Sequence, residues 1–163
     1  MKFCRFEIDD EVKTGVLVDK RVYLYENNQR SSVYFEQNRL KYLPPIVPSK
    51  IVCVGRNYAA HAFELGNTIP KEPLIFLKAP SAIITNGEPI VLPPQSSQVE
   101  HEGELAVVIG RTCKNLSDVE NINEYIFGYT ILNDVTARDL QRSDVQFTRA
   151  KSFDTFCPIA SFI

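Results

Sequence analysis

The sequence is short of several residue types that build familiar functional sites. It has no tryptophan, one methionine and four cysteines among 163 residues. The cysteines stand far apart and form no C-x-x-C pair, which argues against a zinc cluster or a dithiol redox motif. We therefore interpret all of them as reduced thiols: Cys4, Cys53, Cys113 and Cys157.

Long apolar runs and a dominant charge are missing as well. Lysine and arginine number 18 against 20 aspartates and glutamates, a net charge of −2, so the chain has no general attraction for nucleic acid or anionic membranes. No apolar run is long enough to cross a bilayer. The first ten residues resemble neither a signal peptide nor a transit peptide. We expect a cytoplasmic protein with no nucleic-acid or membrane partner.

What remains is a composition with 44% hydrophobic residues, which can bury a core. β-Branched and aromatic runs predict a small β-meander in residues 2–8, 13–18 and 21–25. Three prolines within residues 43–50 favour an extended connector. We expect a domain boundary there, between a small N-terminal β domain (residues 1–45) and a second domain (residues 46–163).

The second domain mixes strand and helix patterns. Strands are expected at residues 51–55, 74–78, 82–91, 99–110 and 127–134. A short helix after residue 55 would be closed by Gly66, and capping boxes at residues 117–120 and 136–139 each predict a further helix. Together the patterns predict an α+β fold, mainly β.

Three glutamates alternate within the strand predicted over residues 99–110. Alternate side chains of a strand share a face, so Glu100, Glu102 and Glu104 would project together. Burying unpaired carboxylates is costly, and a hard cation such as Mg²⁺, Mn²⁺ or Ca²⁺ would compensate. The alternative is a solvated edge strand whose glutamates face water.

Asp134 lies where the strand predicted over residues 127–134 meets the next helix. Functional side chains often occupy such strand ends, which makes Asp134 a candidate for the same site. The alternative is a turn aspartate that helps to cap the helix.

His61 and Glu64 are three residues apart in a predicted helix and would share a face. A carboxylate that orients an imidazole is the arrangement of a general base with its supporting acid. The alternative is a surface pair that arises by chance.

Five longer segments carry a family resemblance. They are VGRNYAAHAFELG (54–66), EPLIFLKAPSA (72–82), EHEGELAVVIG (100–110), NDVTARDLQR (133–142) and AKSFDTFCPIA (150–160). In this order they resemble the successive motifs of the fumarylacetoacetate hydrolase family, especially its acylpyruvase and 2-hydroxyhepta-2,4-diene-1,7-dioate isomerase branch. Five ordered motifs are far more specific than a lone short pattern.

The resemblance implies roles for individual residues. Three carboxylates would ligate Mg²⁺ or Mn²⁺, namely Glu102, Glu104 and Asp134, whereas Glu100 is not a family ligand. The catalytic residues would be His61 and Glu64, as a water-activating dyad, and Lys151 beside the metal. The residues expected to bind substrate are Arg56, Tyr58, Lys78, Arg138 and Gln141. For Lys78, Arg138, Gln141 and Lys151 the alternative is an ordinary surface position.

The resemblance also implies a fold and an assembly. The second domain would be a mixed β-sandwich roll, and relatives would form homodimers. In the family, closing strands follow the A-K-S-F motif, and we expect them to be absent from this chain. Apolar faces and strand edges would then be exposed.

The implied reaction is hydrolysis of a C–C bond in acylpyruvate-like 2-oxo acids. The metal would stabilise the pyruvate enolate, the dyad His61 and Glu64 would activate water, and Lys151 would offer positive charge to oxyanions. The alternatives are an isomerase or decarboxylase of 2-oxo or 2-hydroxy-diene-dioic acids, and an inactive metal-binding module.

Overall fold

The structure is a computed structural model that describes residues 1–64, 66, 68–117 and 121–163, without the side chains of residues 61 and 62. Strands dominate and the helices are short, which confirms a mainly β fold. Within the described residues, no helix combines the length and apolar character needed to cross a membrane.

The N-terminal part is a five-stranded antiparallel sheet. Its strands are β1 (Lys2–Ile8), β2 (Glu11–Val18), β3 (Arg21–Glu26), β4 (Gln29–Glu36) and β5 (Lys41–Leu43). Their spatial order is β4-β3-β2-β1-β5. Two-residue turns join the first four strands, and both residues of each turn have positive φ, as tight type I′ hairpins require. The predicted meander is confirmed and extended by two strands.

The core of this sheet is small and receives a residue from far along the chain. Cys4, Phe6 and Val22 are fully buried, and Phe162 packs against them. Main-chain hydrogen bonds of 2.9 Å join Phe3 and Ile163 in both directions. The last described residues therefore tie the N-terminal sheet to the rest of the molecule.

The second part contains three small sheets. Its strands are β6 (Ile51–Gly55), β7 (Leu74–Lys78), β8 (Ile83–Thr85), β9 (Val99–Glu100), β10 (Gly103–Ile109), β11 (Ile126–Asn133), β12 (Thr136–Ala137) and β13 (Cys157–Ile159). Strands β10-β11-β13-β8 form the largest sheet, and β6-β7 and β12-β9 form antiparallel pairs.

The described residues of this part also form three α-helices: α1 (Ala59–Glu64), α2 (Arg138–Ser143) and α3 (Thr148–Lys151). Gly66 has φ +67° and its N–H bonds the carbonyl of Phe63, so the predicted glycine cap follows α1. The capping box at 117–120 includes residues outside the described part. A 3₁₀ turn at Ile122–Tyr125 follows, capped by Asn121.

The strand predicted over 99–110 is two strands. β9 pairs with β12, whereas β10 pairs with β11. Between them, the Glu102 N–H bonds the Asn133 side chain at 3.0 Å and its carbonyl accepts from the Asp134 N–H at 2.9 Å. Glu100, Glu102 and Glu104 therefore do not project from one continuous strand, and that expectation is wrong.

Two strand pairs expose apolar faces. On β10, Leu105 and Ile109 are 62% and 59% exposed, and Ile131 on β11, opposite Leu105, is 69% exposed. The β6-β7 pair exposes alternate side chains in the same way, including Val52 and Ile75. Sheet faces of this composition are suited to being covered by further protein.

Candidate active site

Four charged side chains from four separate stretches of the chain meet at one place. Lys78 ends β7, Glu102 links β9 to β10, Asp134 follows β11 and Lys151 ends α3. We call these residues the carboxylate–lysine cluster. The cluster takes one residue from each of four of the five sequence motifs, so residues far apart in the sequence converge at one place.

Lys151 lies at the centre of the cluster. Its ammonium group is 2.8 Å from Glu102 Oε2, 2.6 Å from Asp134 Oδ2 and 2.8 Å from Thr136 Oγ1. The residue is 2% exposed, and the ammonium lies 5.0 Å from the centre of the Phe76 ring. Three N–H donors thus meet three oxygen acceptors, which satisfies the buried charge.

Lys78 supports the cluster from the other side of Asp134. Its side chain is fully buried and its ammonium donates to Asp134 Oδ1 at 2.7 Å. It also donates to the main-chain carbonyl of Lys151 and, at 3.4 Å, to that of Val135. Each oxygen of Asp134 therefore bonds a different lysine, which fixes the orientation of the carboxylate.

Arg138 binds the second carboxylate of the cluster. Its guanidinium is 2.6 Å from Glu102, 2.9 Å from Glu100 and 2.9 Å from Gln141. Burial alone would raise the pKa of Glu102, but the hydrogen bond and charge of Lys151, together with Arg138, outweigh burial and lower it. Glu102 is therefore held as an anion.

Glu104 lies next to the cluster without a cationic hydrogen-bond partner of its own among the described residues. Burial raises its pKa, and the negative charges of Glu102 and Asp134 raise it further, while a hydrogen bond from the Tyr58 hydroxyl acts in the opposite direction. The three carboxylates are thus close enough to repel one another. Tyr58 also accepts a hydrogen bond from the Leu105 N–H at 3.4 Å.

The donor set fits a hard divalent cation in part. Glu102 and Asp134 already converge on one positive charge, and Glu104 adds a third, repelled carboxylate. Oxygen ligands of this kind suit Mg²⁺ or Mn²⁺. However, no three His, Cys, Asp or Glu side chains in the described residues are gathered closely enough to form a ready-made ligand group. Lysine and arginine side chains neutralise the carboxylates here instead.

The two residues of the expected water-activating dyad are both in helix α1. The side chain of His61 lies outside the described residues, and Glu64, on the same helix α1, is exposed. Arg56 is also exposed and has φ +57°. Of the residues expected in the first motif, Tyr58 contacts the carboxylates.

Sequence reasoning missed Thr136. The T-A-R-D pattern predicts Thr136 as the N-cap of a helix, yet α2 starts at Arg138 and its N-cap, Ala137, makes no side-chain cap. Thr136 is instead in β12, fully buried, and its hydroxyl donates to the Asp134 carbonyl at 2.9 Å. The sequence shows a threonine two residues after Asp134. Its spacing does not reveal that the hydroxyl contacts Lys151 on α3.

Two surface cavities lie away from the cluster. One of about 460 Å³ lies on the N-terminal sheet beside Glu7 and Lys41, and one of about 360 Å³ lies between Phe3 and Tyr129. Neither is lined by the clustered carboxylates. The packed, paired charges are therefore the feature that marks the candidate site.

Comparison with known proteins shows which family the chain is similar to. The model for the fumarylacetoacetate (FAA) hydrolase C-terminal family matches residues 50–163. An oxaloacetate tautomerase of Caenorhabditis elegans and an oxaloacetate decarboxylase of Dictyostelium discoideum are each 47% identical over 119 residues. The matches cover 71% and 70% of this chain and 55% and 54% of the relatives.

The fold has a close counterpart among solved structures. A 5-carboxymethyl-2-hydroxymuconate delta-isomerase from Mycobacterium smegmatis is 44% identical, with a TM-score of 0.87 over the whole of this chain and 65% of its own. This confirms the expected β-sandwich roll. The chain spans about half the length of the curated relatives it matches. By its family match and its fold, the chain belongs to the fumarylacetoacetate hydrolase family.

Proposed function

We propose that the carboxylate–lysine cluster is the centre of a divalent-metal-dependent active site that hydrolyses a C–C bond in acylpyruvate-like 2-oxo acids. One observation carries the proposal: Glu102 and Asp134, from two separate motifs, both bond the buried ammonium group of Lys151, at 2.8 and 2.6 Å. Burying two carboxylates side by side costs stability. Charged groups that are kept at such a cost often serve a function that depends on their charge.

The proposed metal ligands are Glu102, Glu104 and Asp134. A bound Mg²⁺ or Mn²⁺ would act there as a template and Lewis acid for the carboxylate and keto oxygens of a 2-oxo acid. The repulsion that raises the pKa of Glu104 is consistent with a site that accepts further positive charge.

The chain's own cations would handle the substrate's negative charge. Lys151 is buried, so its ammonium would act in a water-poor setting where electrostatic stabilisation of an oxyanion is strong. Arg138 has its guanidinium between Glu100 and Glu102 and would keep the latter in place. Tyr58 and Gln141, which contact Glu104 and Arg138 respectively, complete the proposed substrate-facing set with Arg56. The buried Lys78 would support this set through its bond to Asp134.

Hydrolysis requires an activated water, for which we propose His61 assisted by Glu64. Both residues belong to α1, and a spacing of three residues in a helix would put their side chains on one face. The imidazole would take a proton from water as it attacks the carbonyl remote from the carboxylate.

A second candidate is an isomerase, tautomerase or decarboxylase of 2-oxo dioic acids. The names of three relatives favour it, an oxaloacetate tautomerase, an oxaloacetate decarboxylase and a 5-carboxymethyl-2-hydroxymuconate delta-isomerase. These reactions and acylpyruvate hydrolysis all pass through an enol or enolate of the 2-oxo acid. The cluster could serve each of them, and only hydrolysis needs the dyad.

The test compares two substrates with Mg²⁺, with Mn²⁺ and with neither. Hydrolysis predicts metal-dependent loss of the enol absorbance of acetylpyruvate, with pyruvate and acetate as products. Turnover of oxaloacetate with no acetylpyruvate hydrolysis would favour the second candidate. If neither substrate reacts although Mn²⁺ binds, the chain is a metal-binding module without this activity.

Two further expectations stay predictions. We propose that the chain forms a homodimer, for which the exposed apolar faces of β10 and β11 are suitable, and sedimentation velocity would measure its mass. The cytoplasmic location would be tested by fractionation of cells that express the protein.

A further inference from the structure

Thr136 holds the cluster together without bearing a charge. It is fully buried, and its hydroxyl oxygen is 2.8 Å from the Lys151 ammonium and 2.9 Å from the Asp134 carbonyl oxygen. It is one of the three oxygens around the ammonium and the only uncharged one of those three. Removing it would leave one N–H of a buried ammonium without this acceptor.

The direction of these hydrogen bonds is fixed by chemistry. A main-chain carbonyl can only accept, so the Thr136 hydroxyl must donate its proton to Asp134. Its lone pairs then face Lys151, which donates. Rotation of the hydroxyl proton toward a different partner would lose the bond to Asp134.

The backbone and side chain of Thr136 are also fixed. Thr136 pairs with Glu100 in the β9-β12 ladder, and a β-branched side chain has few accessible χ1 rotamers. At the other end of the same lysine, Lys78 bonds the main-chain carbonyl of Lys151. Lys151 is therefore restrained both at its main chain and at its ammonium.

We propose that Thr136 is a positioning residue that holds the Lys151 ammonium between Glu102 and Asp134. This inference rests on the proposed function, in which Lys151 stabilises negative charge on the substrate. Thr136 acts through Lys151 and does not contact the substrate. A displacement of about 1 Å in a catalytic group can reduce turnover about 100-fold.

The test uses the pair Thr136→Val and Thr136→Ser. Valine keeps the shape and removes the hydroxyl, whereas serine restores it. With the substrate that the wild type turns over, valine is expected to lower kcat at least about 10-fold with KM within about twofold. Serine is expected to recover kcat to within about threefold of the wild type.

Thr130 provides a matched control. It is also buried in a strand, and its hydroxyl donates to the main-chain carbonyl of Phe162 at 2.7 Å, away from Lys151. Thr130→Val is expected to lower the melting temperature by about 2–6 °C, and Thr136→Val is expected to lower it at least as much, but Thr130→Val should leave kcat within about twofold. Equal losses of kcat in the two valine variants, no recovery with serine, or a rise in KM would overturn the inference.

A stability cycle separates this inference from the proposed function. If Thr136 acts on Lys151, Thr136→Val should lower the melting temperature much less in a Lys151→Met background than in the wild type. Equal shifts in both backgrounds would overturn the inference. If the wild type turns over no 2-oxo acid, the proposed function fails, and the cycle still decides whether Thr136 positions Lys151.

Discussion

The ammonium group of Lys78 donates a hydrogen bond to the main-chain carbonyl of Lys151, 73 residues further along the chain. The same ammonium bonds Asp134. Thus one buried lysine fixes both an acidic residue of the proposed site and the backbone of its catalytic lysine. Rigid support of this kind is what a precise site requires.

Replacing Lys78 should destabilise the fold. Lys78→Met removes a fully buried partner of Asp134, and breaking a buried ion pair typically costs about 3–5 kcal/mol. Urea denaturation would measure the free energy of unfolding. Lys71→Met, at an exposed position, is the matched control, and a cost similar to that control would contradict the structural role of Lys78.

Metal binding should distinguish two neighbouring glutamates. Glu102→Gln is expected to lower Mn²⁺ affinity at least about 100-fold because a charged ligand is lost, whereas Glu100→Gln should change it less than about threefold. Both glutamates bond Arg138, so each of the two variants weakens a contact with the same arginine. Titration followed by electron paramagnetic resonance gives both constants, and equal effects would show that Glu102 is not a ligand.

His61→Ala should separate hydrolysis from enol chemistry. The variant is expected to bind Mn²⁺ as the wild type does and to lose acetylpyruvate hydrolysis, by about 100-fold or more. Any oxaloacetate tautomerisation should persist. Loss of metal binding together with turnover would mean that His61 has a ligand or structural role.

Asp139 should make stability depend on pH in the acid range. Hydrogen bonds from the Ser96 hydroxyl and from the main-chain N–H groups of Ser97 and Leu140 lower its pKa from 3.8 to about 2. A carboxylate with a depressed folded-state pKa stabilises the fold above its unfolded pKa, and this contribution is lost as the pH falls from about 4 to about 2.

Asp139→Asn is the variant that tests this dependence. It should melt at a lower temperature than the wild type at pH 7, and the difference should shrink on acidification to pH 2 because about half of the wild-type carboxyl groups are protonated there. Thermal denaturation at pH 7, 4, 3 and 2 would follow it. A difference that stays constant through this range would refute the contribution of the charge.

Local sequence patterns located many of the strands. The strands predicted at 51–55 and 74–78 have the same first and last residues as β6 and β7. Apolar runs of this kind predict a strand whichever strand it pairs with. The strand predicted over 82–91 ends at Thr85, and Gly87 adopts φ +92° in the turn that follows. The asparagine–glycine pair at 86–87 is the sequence signal for this turn.

Tertiary contacts account for what sequence could not give. The break at Glu102 arises because β9 and β10 have different partners, and no local pattern records partners. Motif resemblance named Glu102, Asp134 and Lys151, and the structure brings them together. The motif resemblance did not reveal that Lys78 bonds Lys151, since a contact across 73 residues depends on the completed fold.

The pairing of Phe3 with Ile163, and the packing of Phe162 beside Tyr42 with ring centres 5.1 Å apart, have a consequence for biosynthesis. The N-terminal sheet leaves the ribosome before the second part of this sequence, but its apolar cluster is completed by a side chain translated about 160 codons later. Contacts of such long sequence separation form slowly. The nascent sheet should therefore stay open to proteases and chaperones until the last part of this sequence has emerged.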